Sequence, residues 1–287
     1  MVKMIILVVA YLILAPVIGG LLAGIDRVLS ARLQGRQGPP VLQPFYDFFK
    51  LLEKEPITVN NVQDFYVTCF LLFVIVTGCF FFAGLDLLLV IFTLTLASVF
   101  LIIAAFSTNS AYPQLGAERE LLQMMAYEPM VLITAVGFYI FSGSFAVADI
   151  VSGDKMAFPY MIGIFAGFVF ILTIKFRKSP FDLSMSHHAH QELVAGLKTE
   201  FSGKTLAMIE IAHWYENVFL LGFIFLFFAN GTIAGTIIGA VVCLVTYFFE
   251  TFIDNNFARM KWNVAINASW LVAITLGMVN IVVLYFM

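Results

Sequence analysis

Three groups of residues in this 287-residue chain have the types and spacing for proton chemistry. Glu128 lies in AERELLQMMAYEPMVLITAVGFYIF, followed directly by Pro129. Proline removes the helical bond to the carbonyl of Met125, so an acid and a freed carbonyl sit side by side. Glu128 falls about 12 Å deeper than Glu120, at 1.5 Å per residue, near mid-membrane if that run spans a bilayer. Such a pair can hold a proton or an ion; the alternative is a neutral glutamate that only packs. Glu210, His213 and Glu216 recur at i, i+3, i+6 and share a helical arc about 120° wide. An acid–imidazole–acid stripe can pass protons, since histidine titrates near neutrality; equally, each member can pair with another helix. The third group is 179–203, SPFDLSMSHHAHQELVAGLKTEFSG, with three of the four histidines, Asp182, Glu192, Lys198 and Glu200.

The elements that must position these groups follow from composition. The chain is 62% hydrophobic and 11% charged with 32 phenylalanines, too few charges for a soluble globular domain. Windows 65–85, 87–117, 129–148, 156–174, 217–249 and 262–287 carry no Asp, Glu, Lys or Arg. A span needs about 20 apolar residues, so the chain reads as an all-α polytopic membrane protein. About eight spans are expected, near 4–26, 64–83, 85–106, 118–142, 158–177, 204–228, 232–252 and 264–286, with the Asn230-Gly231 turn signal splitting the longest window. The whole of 1–287 is expected to form a single membrane domain. Of the 15 lysines and arginines, all but Lys3 and Lys155 fall after spans 1, 3, 5 and 7. The positive-inside rule makes those loops, near 27–63, 107–117, 178–203 and 253–263, cytoplasmic and both termini external. The first apolar run is about a full span long with no basic segment beyond Lys3, so it reads as a span and not a cleaved signal.

The first loop contains GRQGPPVLQPFYDFFKLLEKEPI. Pro39, Pro40 and Pro44 stop the first helix from continuing. Phe45, Phe48, Phe49 and Leu52 then repeat at i, i+3, i+4, i+7, away from Asp47, Lys50 and Lys54. That is a short amphipathic helix in the interface plane, either a surface connector or a wall for a docked partner. Cys69, Cys79 and Cys243 fall inside spans without C-x-x-C spacing and read as small hydrophobes. There is no Gly-rich phosphate loop and no basic face for nucleic acid. The absence of an internal repeat weakens the case for a transporter built on inverted halves.

GPPVLQPFYDFFKLLEKE resembles the first cytoplasmic loop of the H subunit of respiratory complex I, and MMAYEP resembles its fourth span. SPFDL…QELVAGLKTEFSG is similar to the loop between spans 5 and 6 of the same family. The motifs fall in the family's order and cover about a third of the chain. Ser184–His190, SMSHHAH, replaces a shorter acidic segment of that family, His213 stands where the family has glutamate, and the chain is somewhat short. On these points it resembles the equivalent subunit of energy-converting nickel–iron hydrogenases, especially the Ech type.

That resemblance implies a non-catalytic membrane subunit, which anchors a peripheral redox arm and relays the energy of ferredoxin-linked hydrogen evolution to proton or sodium translocation. Glu128, Glu192, Glu200, Glu210, His213 and Glu216 are the candidate ion path, with Glu192 and Glu200 at its mouth. Arg36, Asp47, Lys50, Asp182, His187, His188, His190 and Lys198 are the candidate docking residues. The implied partners are the hydrogenase large and small (iron–sulfur) subunits, other membrane subunits including an antiporter-like one, membrane lipid, and ferredoxin indirectly. The nickel–iron centre and iron–sulfur clusters belong to those partners, none to this chain, in a prokaryotic cytoplasmic membrane. The hydrogenase resemblance implies that this subunit needs no bound quinone. Zinc would want imidazoles held by fixed partners and a further ligand, so the histidine cluster reads as a partner surface and no metal is expected. The alternatives are a subunit of a complex I-like quinone- or formate-linked oxidoreductase, and a stand-alone ion or solute transporter.

Overall fold

Apolar runs flanked by charges fold as expected into a bundle of long helices. The structure is a computed structural model and describes residues 2–55, 60–185, 193 and 195–286. In chain order the helices are α1 (Val2–Leu33), α2 (Gln43–Glu53), α3 (Asn61–Phe82), α4 (Leu87–Phe106), α5 (Ala111–Ser142), α6 (Val147–Ser152) and α7 (Ile162–Lys175). A 3-10 turn, Gly196–Lys198, precedes α8 (Gly203–Leu226), α9 (Ile233–Asn256), α10 (Trp262–Val272) and α11 (Val279–Phe286). A π-helical segment, Ala273–Met278, joins the last two into one rod. Among the described residues, seven helices are long and apolar enough to cross a membrane. The run expected as the fifth span is instead a 14-residue helix, Ile162–Lys175. It is about 21 Å long against a hydrocarbon core of about 30 Å. The residues just before it form turns around Pro159, where proline cannot continue a helix.

Other boundaries move outward. α1 runs on to Leu33, α5 starts at Ala111 and α9 continues to Asn256, so helix takes over parts of the expected loops. Charges end an apolar window, not a helix, because helical backbone bonds persist in water. Gly231, with φ of +67°, marks the turn between α8 and α9.

Between helices in a bilayer the hydrophobic effect gives no drive, so association rests on packing and close approach. Phenylalanines supply the packing: Phe81 meets Phe219 at 5.3 Å and Phe223 at 5.5 Å, and Phe138 meets Phe227 at 4.8 Å between ring centroids. Glycines supply the approach. A Cβ on Gly116 of α5 would lie 2.4 Å from the Leu197 nitrogen, so only glycine lets the 3-10 turn seat against that helix. Gly116→Val is expected to lift the turn and expose Lys198, whose side chain is 14% exposed and held by Glu210. Trypsin should then cut after Lys198 in solubilised variant but not in wild type.

Asn280 near the end of the rod accepts from the Ile164 amide at 3.0 Å and donates to the Tyr160 carbonyl at 3.0 Å. It thereby caps the start of α7 with a side chain from another helix. At the opposite, basic end a clasp joins three parts of the chain. Lys178 contacts Asp26 of α1 at 2.5 Å and Asp254 of α9 at 3.6 Å, and Arg259 contacts Asp182 at 3.0 Å. The Ser179 amide donates to Asp254 at 2.7 Å, and the Met260 amide donates to the Pro180 carbonyl at 3.1 Å.

Candidate functional site

The chemistry-bearing residues converge at the basic end, where α5, α7 and α8 meet. Arg177 starts the arrangement. Its φ of +52° is left-handed, which is costly for a residue with a Cβ, and it reverses the chain straight after α7. The guanidinium donates to Glu120 of α5 at 2.9 Å and lies 3.0 Å from Nδ1 of His213 on α8. The Ser184 hydroxyl donates to the other Glu120 oxygen. Nδ1 of His213 also lies 3.3 Å from Glu216. One ring nitrogen cannot serve both neighbours. It accepts from Arg177 when bare and donates to Glu216 when it carries a hydrogen. Nε2 also lies 3.4 Å from the guanidinium, so the tautomer with its hydrogen on Nδ1 can face both neighbours at once.

Below this, the Lys175 ammonium contacts Glu216 at 3.2 Å, with side-chain exposures of 6% and 5%. Lys175 also sits 4.3 Å from the Tyr127 ring centroid. Two cations, Lys175 and Arg177, thus face two carboxylates, Glu120 and Glu216, with His213 between them. Near-neutral pairing is what lets such a group persist away from water.

A cavity of 480 Å³ opens onto the upper part of this ladder, lined by Asp26, Lys175, Arg177, Lys178, Lys198, Glu210, His213, Trp214 and Asp254 among others. A second, of 390 Å³, lies between α1, α2 and α8 and shares Ala23, Glu210 and Trp214 with the first. A small void of 20 Å³ lies deeper, lined by Thr95, Tyr127, Glu128 and Lys175 with apolar side chains. Lys175 lines both the chamber and that void.

The expected path residues are placed unevenly. Glu216 and His213 pair as their spacing foretold, but Glu210 is taken by Lys198 at 2.7 Å. Glu128 is half-buried with no hydrogen bond among the described residues, and α5 continues through Pro129 without a break. Glu200 is half-buried in the turn after the 3-10 segment. Glu192 lies outside the described residues.

The docking candidates also divide. Arg36 and Lys50 are exposed, Arg36 meeting the Gln34 side chain. Asp47 pairs with Arg27 at 2.7 Å; partial burial works to raise its carboxyl, but hydrogen bonds from Arg27 and Gln43 hold it below the usual carboxylate range. Asp182 and Lys198 point into the protein, toward Arg259 and Glu210. The described part of 179–203 folds inward because Phe181, Leu183, Met185, Leu193, Leu197 and Phe201 are buried and pull it onto the bundle end. His187, His188 and His190 lie outside the described residues. α2 is amphipathic as expected, but Phe45 and Phe48 turn onto Trp214, at 5.3 and 5.6 Å, while Phe49 stays exposed.

Glu120, Lys175 and Arg177 were not singled out from sequence. They stand at span ends, where charge serves topology equally well. Their one signal is position, a Lys-x-Arg pair closing one apolar run and an acid opening another.

Residues 3–285 match the family model described as NADH dehydrogenase. The H subunit of NADH-quinone oxidoreductase from Geobacillus kaustophilus is 29% identical over 301 residues, covering 94% of this chain and 89% of the relative. Formate hydrogenlyase subunit 4 of Escherichia coli is 26% identical over 277 residues, covering 87% and 89%. Hydrogenase-4 component C of the same organism is 24% identical over 276 residues, covering 88% and 87%. A solved chain of the membrane-bound sulfane sulfur reductase, an archaeal respiratory membrane complex, superposes with a TM-score of 0.86. That match covers 96% of this chain and 99% of the other at 24% identity, a likeness of fold. The chain belongs to the NADH dehydrogenase family, as an integral-membrane protein of the kind that forms the H subunit of complex I.

Proposed function

We propose that this chain is a non-catalytic membrane subunit of an energy-converting, hydrogenase-type complex, and that its charge ladder passes the energy of a peripheral redox reaction to ion movement. The observation that carries this reading is Lys175, which lines both the 480 Å³ chamber and the void at Glu128. A shift of the ammonium between Glu216 and the Glu128 side would change the proton affinity of each. Similarity to formate hydrogenlyase subunit 4 and hydrogenase-4 component C supports a hydrogen-evolving arm, with nickel–iron and iron–sulfur centres in partner subunits. In this reading the exposed face with Arg36 and Lys50 is cytoplasmic and meets that arm, and the coupling ion is a proton or sodium.

A quinone-linked complex is the second reading. It is favoured by the 390 Å³ cavity beside the chamber, walled by Phe48 and Trp214, and by the NADH-quinone oxidoreductase relative. Isolation of the gently solubilised native complex through a tag on this chain tests both. The expected result is co-purification of a nickel–iron subunit, hydrogen evolution, and crosslinks from Lys50 to the redox arm. Quinone-dependent turnover without such a subunit would favour the second reading. A fully active, partnerless monomer would overturn both.

A further inference from the structure

Glu250 on α9 stands apart from the other buried acids. It is fully buried, at 0% exposure, and neither of its oxygens makes a well-formed hydrogen bond among the described residues, the Thr173 hydroxyl of α7 being its one approach to a bond. Glu120, Glu216 and Asp182 are each matched to a cation. The polar groups around Glu250 come from several elements. The charges of Lys178 and Asp254 act on it from the chamber side. α1 contributes Asp26, which accepts from Thr251 at 2.8 Å, and α8 contributes the apolar Leu221 next to Tyr247. Lys178 is already shared by Asp26 at 2.5 Å and Asp254 at 3.6 Å. With Asp26 and Asp254 both charged, a third carboxylate would have to share that one cation, which strongly disfavours it.

The neutral acid is therefore the resting form this packing favours, and Glu250 stands one helical turn, about 6 Å, from Asp254. Asp254 and Asp26 line the 480 Å³ chamber, and their side chains are 25% and 22% exposed, so water reaches them. We infer that Glu250 is a proton-exchanging acid at the inner end of a second relay line. This line runs through Asp254 and Asp26, held by Lys178, into the chamber that the Lys175 ladder also borders. In the step, the Glu250 O–H bond breaks and the proton passes to an Asp254 carboxylate oxygen, directly or through one water. The pair keeps one negative charge throughout: as Asp254 is neutralised, Lys178 is released from it and its charge answers the Glu250 carboxylate.

The line holds whichever redox arm the subunit carries, and its test does not use that arm. The purified native complex is followed by difference infrared spectroscopy as the buffer is changed from H2O to D2O. The expected result is a protonated-carboxyl stretching band that shifts on deuteration within the time of buffer exchange. The band should be lost in Glu250→Gln, displaced in Glu250→Asp, and slower to shift in Asp254→Asn. A wild type with no exchanging band, meaning an inert locked proton, would overturn the inference. So would a band unchanged in Glu250→Gln. Should that variant not assemble, Glu250→Asp decides, since a band that fails to move does not belong to Glu250.

Discussion

Lys175→Met is expected to cost about 3 kcal/mol of stability, near the lower bound for removing one partner of a buried ion pair. Lys175 and Glu216 are 6% and 5% exposed and 3.2 Å apart. Methionine fills the volume of the lysine stem but leaves Glu216 negative and short of a cation. Arg177 stands 4.0 Å from Glu216 and is already engaged with Glu120, which keeps the loss from reaching the upper end of the range. The double variant Lys175→Met with Glu216→Gln removes both charges and should recover most of the loss, because the penalty lies in the orphaned charge. Thermal unfolding in detergent, read beside the abundance of each variant in membranes, checks this. Additive losses in the double variant would show that the two residues are not coupled.

The second large effect concerns Glu128. Glu128→Gln should lower ion movement per redox turnover on the order of 10²-fold while leaving assembly and redox turnover in place. Glutamine keeps the shape and the hydrogen-bonding capacity but cannot release a proton near neutral pH. Glu128 makes no hydrogen bond among the described residues, so no packing role depends on its carboxyl. The loss should therefore be functional and not structural, in contrast to Lys175→Met. Gradient formation in vesicles is measured together with substrate turnover at matched complex abundance. Unchanged ions per turnover would remove Glu128 from the path and leave the family assignment standing.

Much of the fold was legible because lipid demands long uncharged windows and helices that satisfy their own backbone. The split at Asn230-Gly231 and the amphipathic α2 could be read for local reasons, a turn dipeptide and a 3.6-residue period. The short α7 could not, because an apolar count does not register where a helix begins, and the turn at Phe158–Tyr160 lies within the uncharged window. The site was legible only where both partners share a helix, as with His213 and Glu216. Arg177 meets Glu120 57 positions away, and Lys178 meets Asp26 152 positions away. No period connects such pairs. Asp182 and Lys198 were read as outward-facing since they lie in a polar stretch, but the apolar residues interleaved with them decide its direction. Glu250 was passed over because it stands near the end of an apolar run, where an acid is ordinary. Its isolation comes from the surrounding elements.

The π-helical turn Ala273–Met278 bears on what changes in length the last helix can absorb. A π turn amounts to an α-helix with one residue inserted, the surplus being taken up locally and the phase restored beyond it. Deleting one residue within 273–278 should therefore leave an ordinary helix, with Asn280 still aimed at Ile164 and Tyr160. Deleting one residue between the turn and Asn280, or adding one there, would rotate the rest of the helix by about 100° and carry that amide off its targets. Residues 273–278 thus act as slack in the helix, and length variation among family members should collect there.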